Sequence, residues 1–88
     1  MLEQAIQTKI IKKLEQDGFY VVKLIKTSKN GLMDLMALKN GKTMFIEVKQ
    51  DKGILSEIQK FRIKELTSLG FECKVWIDYN VDYTDKKN

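Results

Sequence analysis

The chain contains no histidine and no proline, and Cys73 is its one cysteine. Each of these absences removes a class of chemistry. A single thiol cannot form a disulfide within the chain, and structural zinc sites built on Cys and His are excluded with it. Imidazole acid–base chemistry and Ser-His or Cys-His nucleophile systems are excluded too. No apolar run approaches the length of a membrane span, and Met1-Leu2-Glu3-Gln4 does not resemble a signal peptide, so the expectation is a soluble, intracellular protein. What remains for catalysis is carboxylates, lysines and a hard, oxygen-preferring cation such as Mg²⁺ or Mn²⁺.

Eighty-eight residues suffice for one domain, which is expected to span residues 1–79, followed by a polar tail over 80–88. A hydrophobic content of 43% is that of a globular chain, and 32% charged residues suit a solvated surface. The net charge of +4, almost all of its positive part lysine, points mildly to a polyanionic partner. On charge alone, a lysine-rich solvated surface is the simpler account.

Leu2, Ile6, Ile10 and Leu14 recur every four residues and predict a helix to about Gln16, stopped by Asp17-Gly18. The β-branched and aromatic stretch Phe19–Ile25 reads as a strand, and Lys26-Thr27-Ser28-Lys29-Asn30-Gly31 as a loop. Met33–Leu38 and Thr43–Lys49 then form two strands joined through Asn40-Gly41, a strong hairpin signal. Ser56 and Gln59 match a capping box that opens a second helix, running to about Leu69 with Leu55, Ile58, Ile63, Leu66 and Leu69 as its apolar face. Glu72–Tyr79 is a final strand. The hairpin demands antiparallel neighbours, while the intervening helix permits a parallel crossover. The expected class is α/β, a mixed sheet flanked by helices.

Side chains alternate along a strand, so Glu47 and Lys49 share one face with Phe45 while Met44, Ile46 and Val48 take the other. By itself E-x-K is very common, and a cross-strand ion pair explains it. Asp34 interrupts the apolar stretch Leu32–Ala37, and hairpin pairing brings it near Glu47 and Lys49. Two converging carboxylates repel unless a cation neutralises them, although a salt bridge to a lysine would also account for Asp34. Glu3 falls on the apolar side of the first helix, where favourable placement at a helix N-terminus or fraying of the first turn competes with a role in a site. Gln59 lies on the inner side of the second helix, and its capping-box role is a complete structural explanation in its own right.

Taken together, Glu3, Gly31-x-x-Asp34, Glu47-x-Lys49 and a helix carrying Gln59 resemble the PD-(D/E)XK nuclease superfamily. Within it the likeness is to the compact VRR-NUC branch, related to archaeal-type Holliday junction resolvases. The resemblance runs from Glu3 to about Ile77 and includes the α-β-β-β-α-β order of a restriction-endonuclease-like core. Gly53, Ser56 and Gln59 fit the glycine, serine and glutamine that often follow E-x-K in that family. Met33 stands where the motif has proline, and Lys26 and Lys29 stand where many relatives have arginine; lysine cannot make arginine's bidentate phosphate contact.

The resemblance implies a metal-dependent, structure-selective DNA endonuclease that hydrolyses phosphodiester bonds in branched DNA such as Holliday junctions. Asp34, Glu47 and the backbone carbonyl of Val48 would hold Mg²⁺ or Mn²⁺. Lys49 would orient or activate water and offset transition-state charge, Glu3 would reach the metal through water or a second ion, and Gln59 would position water or substrate. Lys26, Ser28, Lys29 and Gly31, with Lys52, would contact DNA phosphates. No base-reading element is visible, so selectivity for DNA shape is expected. A homodimer pairing two sites is also expected, with Val21, Leu24, Trp76 and Tyr79 as candidate surface. Compact versions resemble those encoded by bacteriophages, which places the expectation in bacterial cytoplasm. Two other classes compete: a non-catalytic nucleic-acid-binding module on the same fold, and a small assembly protein whose lysines only solubilise it.

Overall fold

The structure, a computed structural model, describes residues 3–50 and 54–77. Leu2, Lys52, Gly53, Tyr79 and the tail, all named above, lie outside the described residues. The order of elements is α1 (Glu3–Gln16), β1 (Tyr20–Lys23), β2 (Leu35–Lys39), β3 (Lys42–Lys49), α2 (Glu57–Ser68) and β4 (Glu72–Ile77). The strands form one sheet in the order β1-β2-β3-β4, with β1–β2 and β2–β3 antiparallel and β3–β4 parallel. The hairpin and the crossover expected from the sequence are both present, and the sheet is mixed.

Local chemistry accounts for the junctions. Asn40 (φ 53°) and Gly41 (φ 75°) both take the left-handed conformation that a two-residue hairpin turn requires, and Lys39 pairs with Lys42 across it. Both helices close with the same hydrogen-bond pair. In α1 the N–H of Phe19 donates to Leu14 O and that of Gly18 to Glu15 O; in α2 Phe71 donates to Leu66 O and Gly70 to Thr67 O. The N-terminus of α2 carries the full capping box between Ser56 and Gln59.

The core lies between α1 and one face of the sheet. Ile6, Ile10 and Leu14 pack on Leu35 and Ala37 of β2, Met44, Ile46 and Val48 of β3, and Trp76 of β4. Alternation then turns Phe45, Glu47 and Lys49 to the opposite face, where α2 lies. Among the described residues no helix is long and apolar enough to cross a membrane.

Four expectations need correction. β1 ends at Lys23 rather than Ile25, which is 85% exposed; the Leu24 N–H donates to Asp34 O (2.8 Å), one step beyond the Lys23–Leu35 pair, and closes the base of a loop. β2 begins at Leu35 rather than Met33, so Asp34 sits in a bend just before the strand. The apolar face assigned to α2 is covered only in part: Leu55, Ile63 and Leu66 are half-buried, while Ile58 and Leu69 are 42% and 67% exposed. Periodicity identifies which side of a helix is apolar, but not whether anything in the monomer covers it. For the opposite reason Trp76 leaves the candidate dimer surface, since it is buried against α1.

Candidate active site

Glu47 is the one buried charged side chain among the described residues, 3% exposed. β3 places it there because Ile46 and Val48 must face the core, and Glu47 between them is forced to the other side of the sheet. Burial of a carboxylate without full compensation is costly, so its partners carry the argument.

Glu47 Oε2 accepts a hydrogen bond from Gln59 Nε2 (2.8 Å) and lies 3.6 Å from Lys49 Nζ. Its other oxygen, Oε1, is buried without a hydrogen-bond partner. Asp34 arrives from the bend before β2. With Leu35 opposite Ile46, the residue before it falls opposite Glu47. Asp34 is fixed there by the Val48 N–H, which donates to its Oδ2 (2.8 Å).

The electrostatics follow from this geometry. Glu47 is pushed up to about 7, first by burial and then by the charge of Asp34, with Glu3 adding to the rise; the charge of Lys49 opposes it. Asp34 is also raised, chiefly by burial, against the hydrogen bond from Val48 and the charge of Lys49. Two carboxylates that both resist ionisation, one with an orphaned buried oxygen, fit a hard divalent cation, which supplies the missing partner and the missing charge together. No third His, Cys, Asp or Glu joins them in a ready-made cluster among the described residues. Asp34, Glu47 and the Val48 carbonyl are the groups available to hold the ion.

The sequence-derived residues therefore converge to different degrees. Asp34, Glu47, Lys49 and Gln59 share one site through direct contacts. Glu3, half-buried at the start of α1, acts on Glu47 through its charge. Lys26, Ser28 and Lys29 are exposed on the loop closed by Leu24 and Asp34. Gly31 has a packing reason of its own. It holds φ +77°, and a Cβ there would fall 2.6 Å from Ile58 Cγ1, so the loop comes against α2 at a distance only glycine allows.

Gln59 carries both roles that its sequence left open. Its Oε1 accepts from the Ser56 N–H (2.9 Å) while its Nε2 donates to Glu47. One amide thus ties the helix cap to the buried carboxylate, which no carboxylate side chain could do. Gln59→Glu separates the two functions, because glutamate also completes a capping box but brings a third negative charge to Glu47. In EDTA the thermal midpoint of that variant is expected within a few degrees of wild type at pH 5, where Glu47 holds its proton, and well below it at pH 8, where like charges meet. Thermal denaturation at the two pH values measures this, and an equal midpoint at pH 8 would remove Gln59 from the site.

Sequence reading missed Arg62. Its Nε donates to Asn30 O (2.7 Å) and its Nη1 to Glu65 Oε1 (2.9 Å), tying α2 to the loop that precedes Asp34. A signal was available: it is the single arginine in a chain whose other basic residues are all lysine.

A mixed four-stranded sheet flanked by two helices, with an acid-acid-lysine set at the start of β2 and the end of β3, defines the PD-(D/E)XK nuclease-like resolvase fold. The model of the archaeal Holliday junction resolvase (Hjc) family matches residues 4–85, nearly the whole chain. The chain belongs to that family. It is similar to a solved VRR_NUC domain, with TM-score 0.79 and 24% identity over 88% of this chain and 85% of that one. It is also similar to Hjc of Archaeoglobus fulgidus, a Holliday junction resolvase from an archaeal hyperthermophile, with TM-score 0.63 and 20% identity. That likeness covers 81% of this chain and 65% of the other. Among curated protein sequences none matches.

Proposed function

We propose that this chain is a divalent-metal-dependent endodeoxyribonuclease that hydrolyses phosphodiester bonds in branched DNA, four-way junctions foremost. The observation that carries the reading is the buried Glu47, one oxygen unpartnered, beside Asp34 and Lys49. A purely structural ion pair would not leave a buried carboxylate oxygen unsatisfied. The family to which the chain belongs is named for resolving Holliday junctions, which supports the substrate class.

In this reading Asp34, Glu47 and the Val48 carbonyl would hold Mg²⁺ or Mn²⁺, which would supply Lewis-acid polarisation of a phosphoryl oxygen. The chain's own groups do the rest. The Val48 N–H fixes the Asp34 carboxylate, and Gln59 fixes Glu47 through Oε2 so that Oε1 stays available. The Lys49 ammonium, 3.6 Å from Glu47, orients the attacking water and stabilises charge that grows on the phosphate oxygens. Glu3 adds negative charge at the edge of the site and suits an outer-sphere role. Lys26, Ser28 and Lys29, with Lys52, meet backbone phosphates, contacts that position DNA without reading its bases.

The test is cleavage of end-labelled four-way junction, flap and linear duplex DNA in Mg²⁺, Mn²⁺ or EDTA. Cutting of the junction that EDTA abolishes is the expected result. Metal-independent binding with no cutting of any substrate by folded protein would instead make the chain a binding module.

Two sites cutting symmetrically call for a homodimer. The apolar groups left open along α2 and its flanks, Ile54, Ile58, Phe61 and Leu69, make that face a better candidate surface than β4. Light scattering at micromolar concentration is expected to return twice the chain mass; a monomer mass in the presence of junction DNA would defeat this part of the reading.

A further inference from the structure

We propose that Arg62 is a positioning residue that sets how the loop between Leu24 and Asp34 is presented to DNA, and so governs substrate affinity rather than the chemical step. The inference rests on the nuclease reading above, and concerns which residue disposes the loop rather than whether the chain cuts.

The Arg62 side chain is 14% exposed and is held at three points. Nε donates to the Asn30 carbonyl (2.7 Å), Nη1 donates to Glu65 Oε1 (2.9 Å), and the guanidinium lies 5.2 Å from the centroid of the Phe61 ring. The rigid planar fork fixes the directions in which Nε meets the carbonyl and Nη1 the carboxylate; lysine gathers its three donors on one rotatable ammonium and fixes neither. In a chain with one arginine against fifteen lysines, the one is spent on this junction between α2 and the loop.

The loop is built so that this junction decides its tilt. Its base is closed by the Leu24 N–H on Asp34 O (2.8 Å). Within it the Thr27 hydroxyl donates to Lys29 O (2.9 Å). Next to Asn30, Gly31 is packed on Ile58 of α2. The arginine thus grips the main chain one residue beyond Lys29, with Lys26, Ser28 and Lys29 exposed just ahead of the grip. Asp34 is held separately, by the Val48 N–H on its carboxylate and the Leu24 N–H on its carbonyl. Release of Arg62 therefore lets the basic segment swing while the carboxylate pair stays in place. Because the acceptor on Asn30 is a main-chain oxygen, the side chain of Asn30 is not part of the device.

The test compares wild type, Arg62→Ala, Arg62→Lys and Asn30→Ala in three measurements: amide hydrogen exchange, binding of junction DNA in EDTA, and steady-state cleavage. In Arg62→Ala, amides of residues 26–31 are expected to exchange faster while β2 and β3 are unchanged. The dissociation constant and KM are expected to rise about tenfold, the size of one lost charge-assisted hydrogen bond, with kcat within about twofold. The slope of log affinity against log salt is expected to become shallower as phosphate contacts are lost. Arg62→Lys is expected to recover part of the affinity by keeping the charge beside Glu65, and Asn30→Ala to match wild type. A merely structural role would lower kcat through loss of folded enzyme and leave KM alone, and that outcome overturns the proposal. So does unchanged exchange in the loop. If wild type cuts nothing, the nuclease reading fails; exchange and binding then still decide whether Arg62 disposes the loop.

Discussion

Replacing Lys49 with alanine is expected to lower junction cleavage by about 10²–10³-fold, the usual loss when one preorganised charge is removed from a transition state. The ammonium has two ways to matter, and they separate by pH. Lys49 also lowers the pKa of Glu47, which stands at about 7 with the lysine present. Without it that carboxyl rises further, so at neutral pH the variant has less of the ionised Glu47 that a cation requires. If that were the whole effect, activity would return at pH 9, where Glu47 is ionised in both proteins. The expected result is a loss that persists at pH 9 while Mg²⁺ binding, followed by calorimetry, recovers there. Full recovery of cleavage would assign Lys49 to tuning its neighbour and remove it from the chemistry.

The second large effect is on stability, and it runs opposite to function. Glu47 in the folded protein holds its proton up to about pH 7, whereas in the unfolded chain it releases it near the ordinary glutamate value of 4.5. Between those values the folded state binds more protons than the unfolded state, so its stability falls as pH rises, then levels off above about 7. The difference corresponds to about 3 kcal/mol for this buried side chain; Asp34, also raised, acts in the same direction. In a domain of this size that is on the order of 10 °C in Tm. In EDTA the Tm of wild type minus that of Glu47→Gln is expected to fall steadily from pH 5 to pH 8, leaving the variant the more stable protein at pH 8 and inactive. Mg²⁺ at pH 8 is expected to raise the Tm of wild type and not that of Glu47→Gln. A pH-independent difference between the two proteins would show that Glu47 is not desolvated as described, and the case for a cation there would go with it.

Both effects trace to a residue whose placement was legible early. Once Thr43–Lys49 is recognised as a strand, alternation leaves Glu47 and Lys49 together and opposite the core. Once Asn40-Gly41 is recognised as the turn, register brings Asp34 to their side. The limits of that reasoning show in the same hairpin. Asp34 reads as a strand residue because it sits in an apolar run, but it bends away from the sheet and gives its oxygen to the Val48 N–H. Strand ends depend on which neighbour takes each polar group, and here Leu24 takes the Asp34 main-chain carbonyl while Val48 takes its carboxylate.

The sequence by itself determined the order of elements, the hairpin, the core stripe Ile6-Ile10-Leu14 and the face on which Glu47 and Lys49 lie, and it permitted the parallel crossover without fixing it. Each follows from periodicity or turn chemistry within a few residues. Only the tertiary structure decided that Gln59 both caps α2 and holds Glu47, that Arg62 grips a loop 32 residues away, that α2 leaves Ile58 and Leu69 of its apolar side exposed, and that Glu47 resists ionisation. Those depend on contacts between residues distant in the chain and on the summed desolvation of all neighbours, quantities that a local pattern does not contain.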